Sequence, residues 1–435
     1  MGIPTVTIVT SAFISLAKNT KESVGLDDMA FVEVPHPVAM IPLEEIRAKA
    51  DQSFPEILKM CTEWRPKVSE IKRSEKSPYP SERVRFKGTY SALNQMFYER
   101  GWSLGLPIYP PTSEAVEIML KGTTKNPEEI VWIVPPRMGI LTIELVATLA
   151  VMAGCKPEHM PLLLAIIKAL KHPDYDWRGS ATTTAPTTPV IIINGPILDE
   201  LGIAYSTGAL GSHQPANISV GYFINLLRVV VGGAKPPNLD KSSLGSRGDL
   251  IAIVLGENEK ANPWKQSYAV EHGFKPFDNV VTAFSAYLGT NNSDHFSVKG
   301  EDLLNTLSIG IAGVGCGFTA CLTQYERPST FGNEVKYVFL FLGPEHANTI
   351  YKDFPTKRMV KEYLVKNVVA PYKTYAPGLC KPPEEFGHYD KDTMIPRFTQ
   401  NESIHIVVTG GPGKQSQIWP AFPTCQRPIS VLIEK

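Results

Sequence analysis

The sequence predicts an α/β protein that begins with an incomplete Rossmann-like βαβα unit and continues into a larger α/β domain. Three observations predict this class. Runs of β-branched residues of strand length alternate with helical segments along the whole chain, which is typical of α/β folds. Several of these strands end in glycine and proline. A polar stretch, "RPKVSEIKRSEKSPYPSER", separates the first four elements from the others.

Those observations divide the chain into three parts. Residues 1–70 are predicted to form half of a doubly wound α/β domain, residues 71–110 a linker, and residues 111–435 the main α/β domain. The N-terminal part reads as strand "TVTIVT", helix "SAFISLAKNTKESVG", strand "AFVEVPHP" and helix "PLEEIRAKADQSFPEILKMCTEW". Parallel strands are normally buried within a sheet of several strands, so two strands predict a sheet that is completed from elsewhere.

The main domain is predicted to alternate helices and strands. Thr112 is the expected N-cap of the helix "SEAVEIMLK", which Gly122 follows. The strand "EEIVWIVPP" and two apolar, buried helices, "LTIELVATLAVMAG" and "MPLLLAIIKALKH", come next. The later predicted strands are "VIIING", "DLIAIVLGE", "VVTAFSAYL", "VKYVFLFLG", "IHIVVTGG" and "ISVLIE".

An internal repeat is a further expectation. The segments "IIINGPILDEL" and "FLFLGPEHANTI" share a strand, a Gly-Pro pair and a following helix, and "IVVTGGPGKQS" shares the strand and the glycine and proline. The main domain is therefore expected to contain repeated strand-GP-helix units.

Composition excludes two classes of partner. The chain carries 43 basic and 43 acidic side chains, and a net charge of zero argues against nucleic-acid binding. Its most apolar stretch is interrupted by Glu144 and is too short to cross a membrane. The start lacks the basic region of a signal peptide, and the six cysteines show no zinc-ligand spacing. We therefore expect a cytoplasmic protein with reduced thiols.

The strongest candidates for catalysis are Glu345 and His346, which directly follow a predicted buried strand. Open α/β sheets bind ligands at the carboxyl ends of their strands, and a Glu-His pair can perform acid-base chemistry. The alternative is that Glu345 only caps the following helix. Cys155, near a helix end, is a second candidate, because a thiol at a helix N-terminus can have a lowered pKa, although an apolar setting raises it. Arg137 follows a strand end and completes the catalytic set.

A second group of residues is predicted to bind substrate. His213 and Asn217 lie in or beside a glycine-, serine- and asparagine-rich loop, although turn formation alone explains such a composition. Gly411 and Lys414 belong to "TGGPGKQS", which fails the P-loop pattern but can offer backbone amides to an anion. Asn194, at a strand end, is the remaining member. The residues identify no metal site.

Four segments of the chain are specific enough to compare with known families: "GIPTVTIVTSAF", "VEVPHPV", "VMAGCKPEHMP" and "LGPEHANTI". Through segments such as these the chain resembles the UGSC-type (seleno)protein family. In single-chain members of that family a U/C-G-S-C motif, with selenocysteine or cysteine, precedes the strand that matches "GIPTVTIVT". The motif is absent from this sequence, so its chemistry is either missing or supplied by another subunit.

The resemblance implies a thiol- or selenol-dependent transformation of a small molecule. We therefore expect the large subunit of a hetero-oligomeric enzyme, with a small partner subunit that provides a Cys-rich motif, and a homo-oligomer as a further expectation. The partner's cysteines would be redox-active or would ligate a metal ion. One alternative is a metal-dependent lyase or hydratase. The other is a non-catalytic scaffold or binding subunit.

Overall fold

A computed structural model provides the coordinates of the chain. It describes residues 5–23, 26, 28–38, 41–65, 83–211, 213–287, 289–313, 337–371, 373, 390–398, 400–422, 425 and 427–434. Helices and strands are numbered in chain order over these residues.

Strands and helices alternate along the chain, as expected for an α/β protein. The strands are β1 (Thr7–Thr10), β2 (Phe31–Val34), β3 (Ile130–Val134), β4 (Gly139–Thr142), β5 (Thr188–Asn194), β6 (Ile253–Gly256), β7 (Val280–Ala286), β8 (Thr290–Ser293), β9 (Val338–Leu342), β10 (Val369–Pro371), β11 (Met394–Pro396), β12 (Ile404–Val408), β13 (Gln415–Pro420) and β14 (Ile429–Leu432). The helices are α1 (Ile14–Ser23), α2 (Leu43–Thr62), α3 (Tyr90–Glu99), α4 (Ser113–Leu120), α5 (Ile143–Met152), α6 (Met160–Leu170), α7 (Trp177–Thr182), α8 (Ile197–Leu201), α9 (Pro215–Leu226), α10 (Tyr268–Glu271), α11 (Gly300–Gly313), α12 (Pro344–Asp353) and α13 (Lys357–Asn367).

The N-terminal unit has the βαβα order that the sequence predicts. β1 and β2 are parallel, with Thr7 opposite Phe31 and Thr10 opposite Val34. α2 packs against β2, and Pro55 lies inside this helix. Among the described residues, the sheet that contains β1 has these two strands.

The segment assigned as a linker contains a helix in its described part. α3 starts after Thr89, whose side chain accepts a hydrogen bond from the Ala92 amide. Thr112 caps α4 in the same way by accepting from the Ala115 amide, as the sequence predicts. β3, which was predicted, pairs with β4, which was not, in a separate antiparallel hairpin.

Two four-stranded mixed sheets form the main domain. The first has the order β14-β7-β5-β6 and the second the order β12-β9-β13-β8. In the first sheet β5 is parallel to β6 and antiparallel to β7. In the second, β9 is parallel to β12 and antiparallel to β13. Each sheet is therefore built around a central strand with one parallel and one antiparallel neighbour.

The two sheets repeat the same connectivity. β5 and β9 occupy equivalent positions, and each is followed by Gly-Pro and a helix, α8 or α12. The fourth strand in each half crosses to the other sheet, since β8 pairs with β13 and β14 pairs with β7. The predicted third unit differs, because the glycine-rich turn after β12 leads into β13 rather than into a helix.

The two halves share a core and are joined by backbone contacts. Phe284 and Phe339 stack with ring centroids 3.8 Å apart and are both fully buried. An isolated β-bridge joins Ala286 to Ala421. α6 packs against β7 and β14, while α11 packs against β8 and α12. Among the described helices, none combines the length and the apolar character that a bilayer crossing requires.

Candidate functional site

β6 and β12, each a parallel strand of its own sheet, meet at their carboxyl ends. The Asn258 amide donates to the Val408 carbonyl at 2.7 Å, and the Asn258 side chain donates to the Gly410 carbonyl at 3.1 Å. The Thr409 hydroxyl donates to the Gly256 carbonyl at 2.8 Å. These bonds bring the ends of β5, β6, β9 and β12, one pair from each sheet, to a shared edge. We refer to this region, residues 194–196, 256–259, 343–346 and 408–416, as the strand-end junction.

A buried carboxylate organises one side of the strand-end junction. Glu257 is fully buried and accepts hydrogen bonds from Asn194 Nδ2 at 2.7 Å, the Tyr268 amide at 2.6 Å and Asn262 Nδ2 at 3.2 Å. Asn194 Nδ2 also donates to Glu259 Oε1 at 2.8 Å. Burial raises the pKa of Glu257, and the nearby Lys357 charge and these donors oppose that rise. Asn194 therefore holds a carboxylate of its own chain.

Lys357 brings a buried positive charge to the same network. Its Nζ lies 3.2 Å from Glu271 Oε2, 4.0 Å from Glu257 Oε1 and 3.2 Å from the Ile406 carbonyl. Lys361 forms a second ion pair with Glu271. Burial raises the pKa of Glu271. The charges of Lys357 and Lys361 lower the pKa by more than burial raises it, so the net shift is downward. The network thus links α10, the start of α13 and β12 through paired charges.

The glycine-rich loop after β12 is closed by a carboxylate from α12. The Gly413 amide donates to Glu345 Oε2 at 2.5 Å, and Lys414 Nζ donates to the His295 carbonyl at 2.7 Å. One backbone amide of the loop therefore already holds an anionic group. Glu345 is exposed, so this contact lies at the surface of the strand-end junction.

His346, the neighbour of Glu345, is buried and bonded through both ring nitrogens. Nε2 lies 3.1 Å from the Asp294 carbonyl and Nδ1 lies 2.7 Å from Ser416 Oγ. A carbonyl can only accept, so Nε2 carries the proton, and in the neutral ring Nδ1 accepts from the Ser416 hydroxyl. Burial lowers the pKa of His346, which favours the neutral form. This geometry suits a positioning role that ties α12 to β13.

The contacts of Cys155 and Arg137 favour structural roles for these two residues. Cys155 follows α5, is buried, and has a thiol pKa raised by that burial. A thiolate is therefore disfavoured at this position. The Arg137 guanidinium donates to the Val230 carbonyl at the end of the helix that continues α9. Its charge thus contacts orphan carbonyls at a helix C-terminus.

Two of the predicted substrate-binding residues, Asn217 and Gly411, also make structural contacts. Asn217 Oδ1 accepts from the Ala204 amide at 2.9 Å and its Nδ2 donates to the Val254 carbonyl at 2.7 Å, so this side chain ties a loop to β6. A Cβ at Gly411 would overlap Thr207 Oγ1, so glycine is needed for close packing there. His213 is exposed.

The structure brings together five of the nine predicted site residues. Glu345, His346, Gly411, Lys414 and Asn194 lie at the strand-end junction. Arg137, Cys155 and Asn217 contact other parts of the fold and His213 is exposed, and the roles of these four residues in chemistry stay predictions.

Sequence reasoning did not select Glu257, a fully buried charged residue of the junction, or Lys357, its buried ion-pair partner. Glu257 directly follows β6 in "LGENEKANPW", so the rule that singled out Glu345 would have found it. Lys357 has no such signal, because its partners are far away along the chain. Among the residues that the structure describes, no group of three His, Cys, Asp or Glu side chains is arranged to hold a metal ion.

The N-terminal sheet presents an open edge. Thr7 N donates to the Ala30 carbonyl, so the amides of Thr7 and Val9 point to β2, and those of Ile8 and Thr10 point away from it. The side chain of Ile8 is 57% exposed. Within the described part of the chain, nothing pairs with this outer edge of β1.

The comparisons with known proteins concern this same N-terminal unit. The model of the UGSC family matches residues 1–63 of the chain. No curated protein and no solved structure matches the chain. The family match confirms the resemblance predicted from the sequence over residues 1–63, the segment that holds β1, α1, β2 and α2.

Proposed function

We propose that this chain is the large subunit of a hetero-oligomeric enzyme that acts on a small molecule. A small partner subunit with a cysteine or selenocysteine motif would complete the β1–β2 sheet and supply the thiol or selenol chemistry. The open edge of β1 is the observation that carries the proposal, because it belongs to the segment that matches the UGSC family.

Physical arguments support completion of this sheet by another strand. A parallel sheet is normally covered on both faces and extends over several strands. An isolated two-stranded unit is marginal in water, and an unpaired edge with an apolar side chain invites pairing with another strand. Burying the exposed Ile8 side chain would contribute about 2 kcal/mol. A partner strand therefore gains both hydrogen bonds and apolar contact.

The open edge of β1 also indicates where a partner's motif would lie in the β1–β2 sheet. If the motif follows a strand that pairs in parallel with β1, it lies at the carboxyl edge of the sheet, where open α/β sheets bind ligands. Cys61, Cys155 and Cys425 are free thiols among the described cysteines. Reduced thiols support our proposal that the complex is cytoplasmic.

Backbone substitutions at the two sheet edges test the proposal. Ile8→Pro removes an amide that points away from β2, so it blocks pairing at the outer edge of β1 while preserving the β1–β2 bonds. Glu33→Pro does the same at the outer edge of β2, and Ile8→Val is the matched control. Each chain is co-expressed with a short protein that carries the motif, and complex formation is measured by pull-down and light scattering.

We expect Ile8→Pro to lose the complex while Glu33→Pro and Ile8→Val retain it and the melting temperatures stay similar. Metal analysis of the complex then distinguishes redox-active from metal-ligating partner cysteines. Retention of the complex by Ile8→Pro would contradict the proposal. Assembly into a homodimer that Ile8→Pro disrupts would instead assign the edge to a second copy of this chain.

A further inference from the structure

Polar side chains gather at the carboxyl ends of β1 and β2, the edge at which open α/β sheets bind ligands. Thr10 ends β1, Ser11 follows it, and His36 lies two residues after β2. Thr10 Oγ1 lies 3.1 Å from His36 Nδ1, and the His36 amide donates to Ser11 Oγ at 3.1 Å. The two strand ends are thus joined through hydroxyl groups that hold the imidazole in place.

A loop from the main domain adds an ammonium group to this edge. Ser15 lies four residues after Ser11, on the same face of the helical segment that starts at Ser11. Ser15 Oγ donates to the Asn238 carbonyl at 3.0 Å and accepts from Lys241 Nζ at 3.2 Å. Ser11 and Ser15 are about one helical turn apart, so Lys241 contacts the same helical segment that begins at Ser11.

Two lysines contact backbone carbonyls beside these hydroxyl groups. No carboxylate lies within 4 Å of Lys241 Nζ in the described part of the chain, and the ammonium also donates to the Pro237 carbonyl at 2.9 Å. Lys49, from α2, donates to the Pro37 carbonyl at 2.6 Å, next to His36. Its acidic neighbour is Glu45, at 3.7 Å.

We infer that Thr10, Ser11, His36 and Lys241 form a binding site for an oxyanion group, a phosphate or a carboxylate, of a small-molecule substrate. The hydroxyl groups of Thr10 and Ser11 lie at the strand edge, the Lys241 ammonium is bonded to Ser15 one helical turn away, and ionised acceptors form the strongest hydrogen bonds with such donors. His36 is the group able to exchange a proton with the bound molecule. The inference names the substrate class of the proposed enzyme and in that respect rests on the proposed function.

The experiment uses the full chain, together with its partner if one co-purifies, with histidines labelled at Cε1 with ¹³C. His36→Gln assigns the His36 signal, and the exposed His213 is the internal control. Inorganic phosphate is titrated at constant ionic strength, and a second titration uses acetate, so that the two sources of oxyanion are distinguished. Lys241→Gln is compared with Lys275→Gln, which changes an exposed lysine before β7.

We expect a saturable shift of the His36 signal with one or both anions while the His213 signal stays constant. Lys241→Gln should weaken the apparent affinity at least fivefold, and Lys275→Gln should leave it unchanged. A linear response, or equal responses of His36 and His213, would overturn the inference. Because complex formation is measured separately, anion binding without a partner complex would contradict only the proposed function, and a complex without anion binding would contradict only this site.

Discussion

Lys357 Nζ lies 4.0 Å from Glu257 Oε1, and both side chains are almost fully buried, with exposed side-chain fractions of 2% and 0%. Glu257 belongs to the end of β6, whereas Lys357 starts α13 in the other half of the repeat. This ion pair therefore joins the two halves of the repeat at the strand-end junction. Glu271 is a second carboxylate partner of the same lysine.

The first prediction concerns this buried pair. Lys357→Met leaves the buried Glu257 carboxylate without a cation and Glu271 with Lys361 alone, which should destabilise the fold by about 3 kcal/mol. Denaturant unfolding followed by fluorescence measures the change. The neighbouring Arg358, whose ion pair with Glu362 is exposed, is the matched control, and Arg358→Met should change stability by no more than about 0.5 kcal/mol. Equal effects of the two substitutions would remove the buried pair as a stabilising link.

The second prediction distinguishes positioning from acid-base chemistry at His346. His346→Ala and Ser416→Ala each leave a buried polar partner unpaired and should each cost about 1–3 kcal/mol. The double variant should cost about 1 kcal/mol less than the sum, because the two side chains share one hydrogen bond. Loss of turnover in His346→Ala at unchanged stability would instead favour the predicted acid-base role.

The sequence predicted those elements whose signals are local. The βαβα order, the Thr112 cap and the strands around β5 and β9 depend on runs of β-branched residues and on residues three positions apart, and all are present in the structure. β8 and β13 were not predicted, because their sequences, "TNNS" and "QSQIWP", lack a run of apolar residues. They are stabilised by pairing with each other and, for β13, with β9, and such non-local pairing leaves no local signal.

The same distinction between local and non-local signals applies to the site residues. Glu345 and Asn194 were selected because they follow strands, and both lie at the strand-end junction. Their partners, Gly413 and Glu257, could not be assigned from spacing. Cys155 and Arg137 also follow element ends, but burial and helix-end carbonyls decide their surroundings. Position after an element therefore indicates an edge of the fold and does not by itself indicate chemistry.

A third prediction concerns cysteine reactivity. Cys61 is exposed, while Cys155 and Cys425 are buried and have thiol pKa values raised by burial, that of Cys425 to about 11. N-ethylmaleimide should therefore label Cys61 in the native protein and reach Cys155 and Cys425 only after denaturation. Peptide mapping by mass spectrometry measures each site. Rapid native labelling of Cys155 would support its predicted role as a reactive thiol.

The fourth prediction concerns the close packing of Gly411. A Cβ at this position would overlap the Thr207 side chain, so Gly411→Ala should destabilise the protein by about 1–3 kcal/mol. Thr207→Gly in the same chain should restore part of the loss. Gly211→Ala is the matched control, because no heavy atom lies within 4 Å of its added Cβ. A neutral Gly411→Ala variant would show that the loop after β12 moves freely.

The last prediction follows from Asp294, the residue whose carbonyl accepts from His346. Burial raises the pKa of its carboxyl group, but hydrogen bonds outweigh this effect and lower the pKa from 3.8 to about 2. The donors are the Ser297 amide and hydroxyl, the Thr306 hydroxyl and the Phe296 amide. In the unfolded chain the carboxylate binds a proton at higher pH than in the folded chain, so its contribution is present above pH 3.8 and is lost as the pH falls toward about 2.

Asp294→Asn removes the ionised acceptor and should therefore lower the melting temperature at pH 6. The difference from the unaltered protein should shrink below about pH 4, because the unfolded chain then takes up a proton at Asp294 that the folded chain does not. Asp392→Asn, which changes an exposed carboxylate paired with Lys373, is the control and should show only a small effect at either pH. Calorimetry between pH 6 and pH 3 measures all three proteins. If the difference for Asp294→Asn stays constant across this range, folding does not lower the pKa of the Asp294 carboxyl group, and its hydrogen bonds contribute no pH-dependent stability.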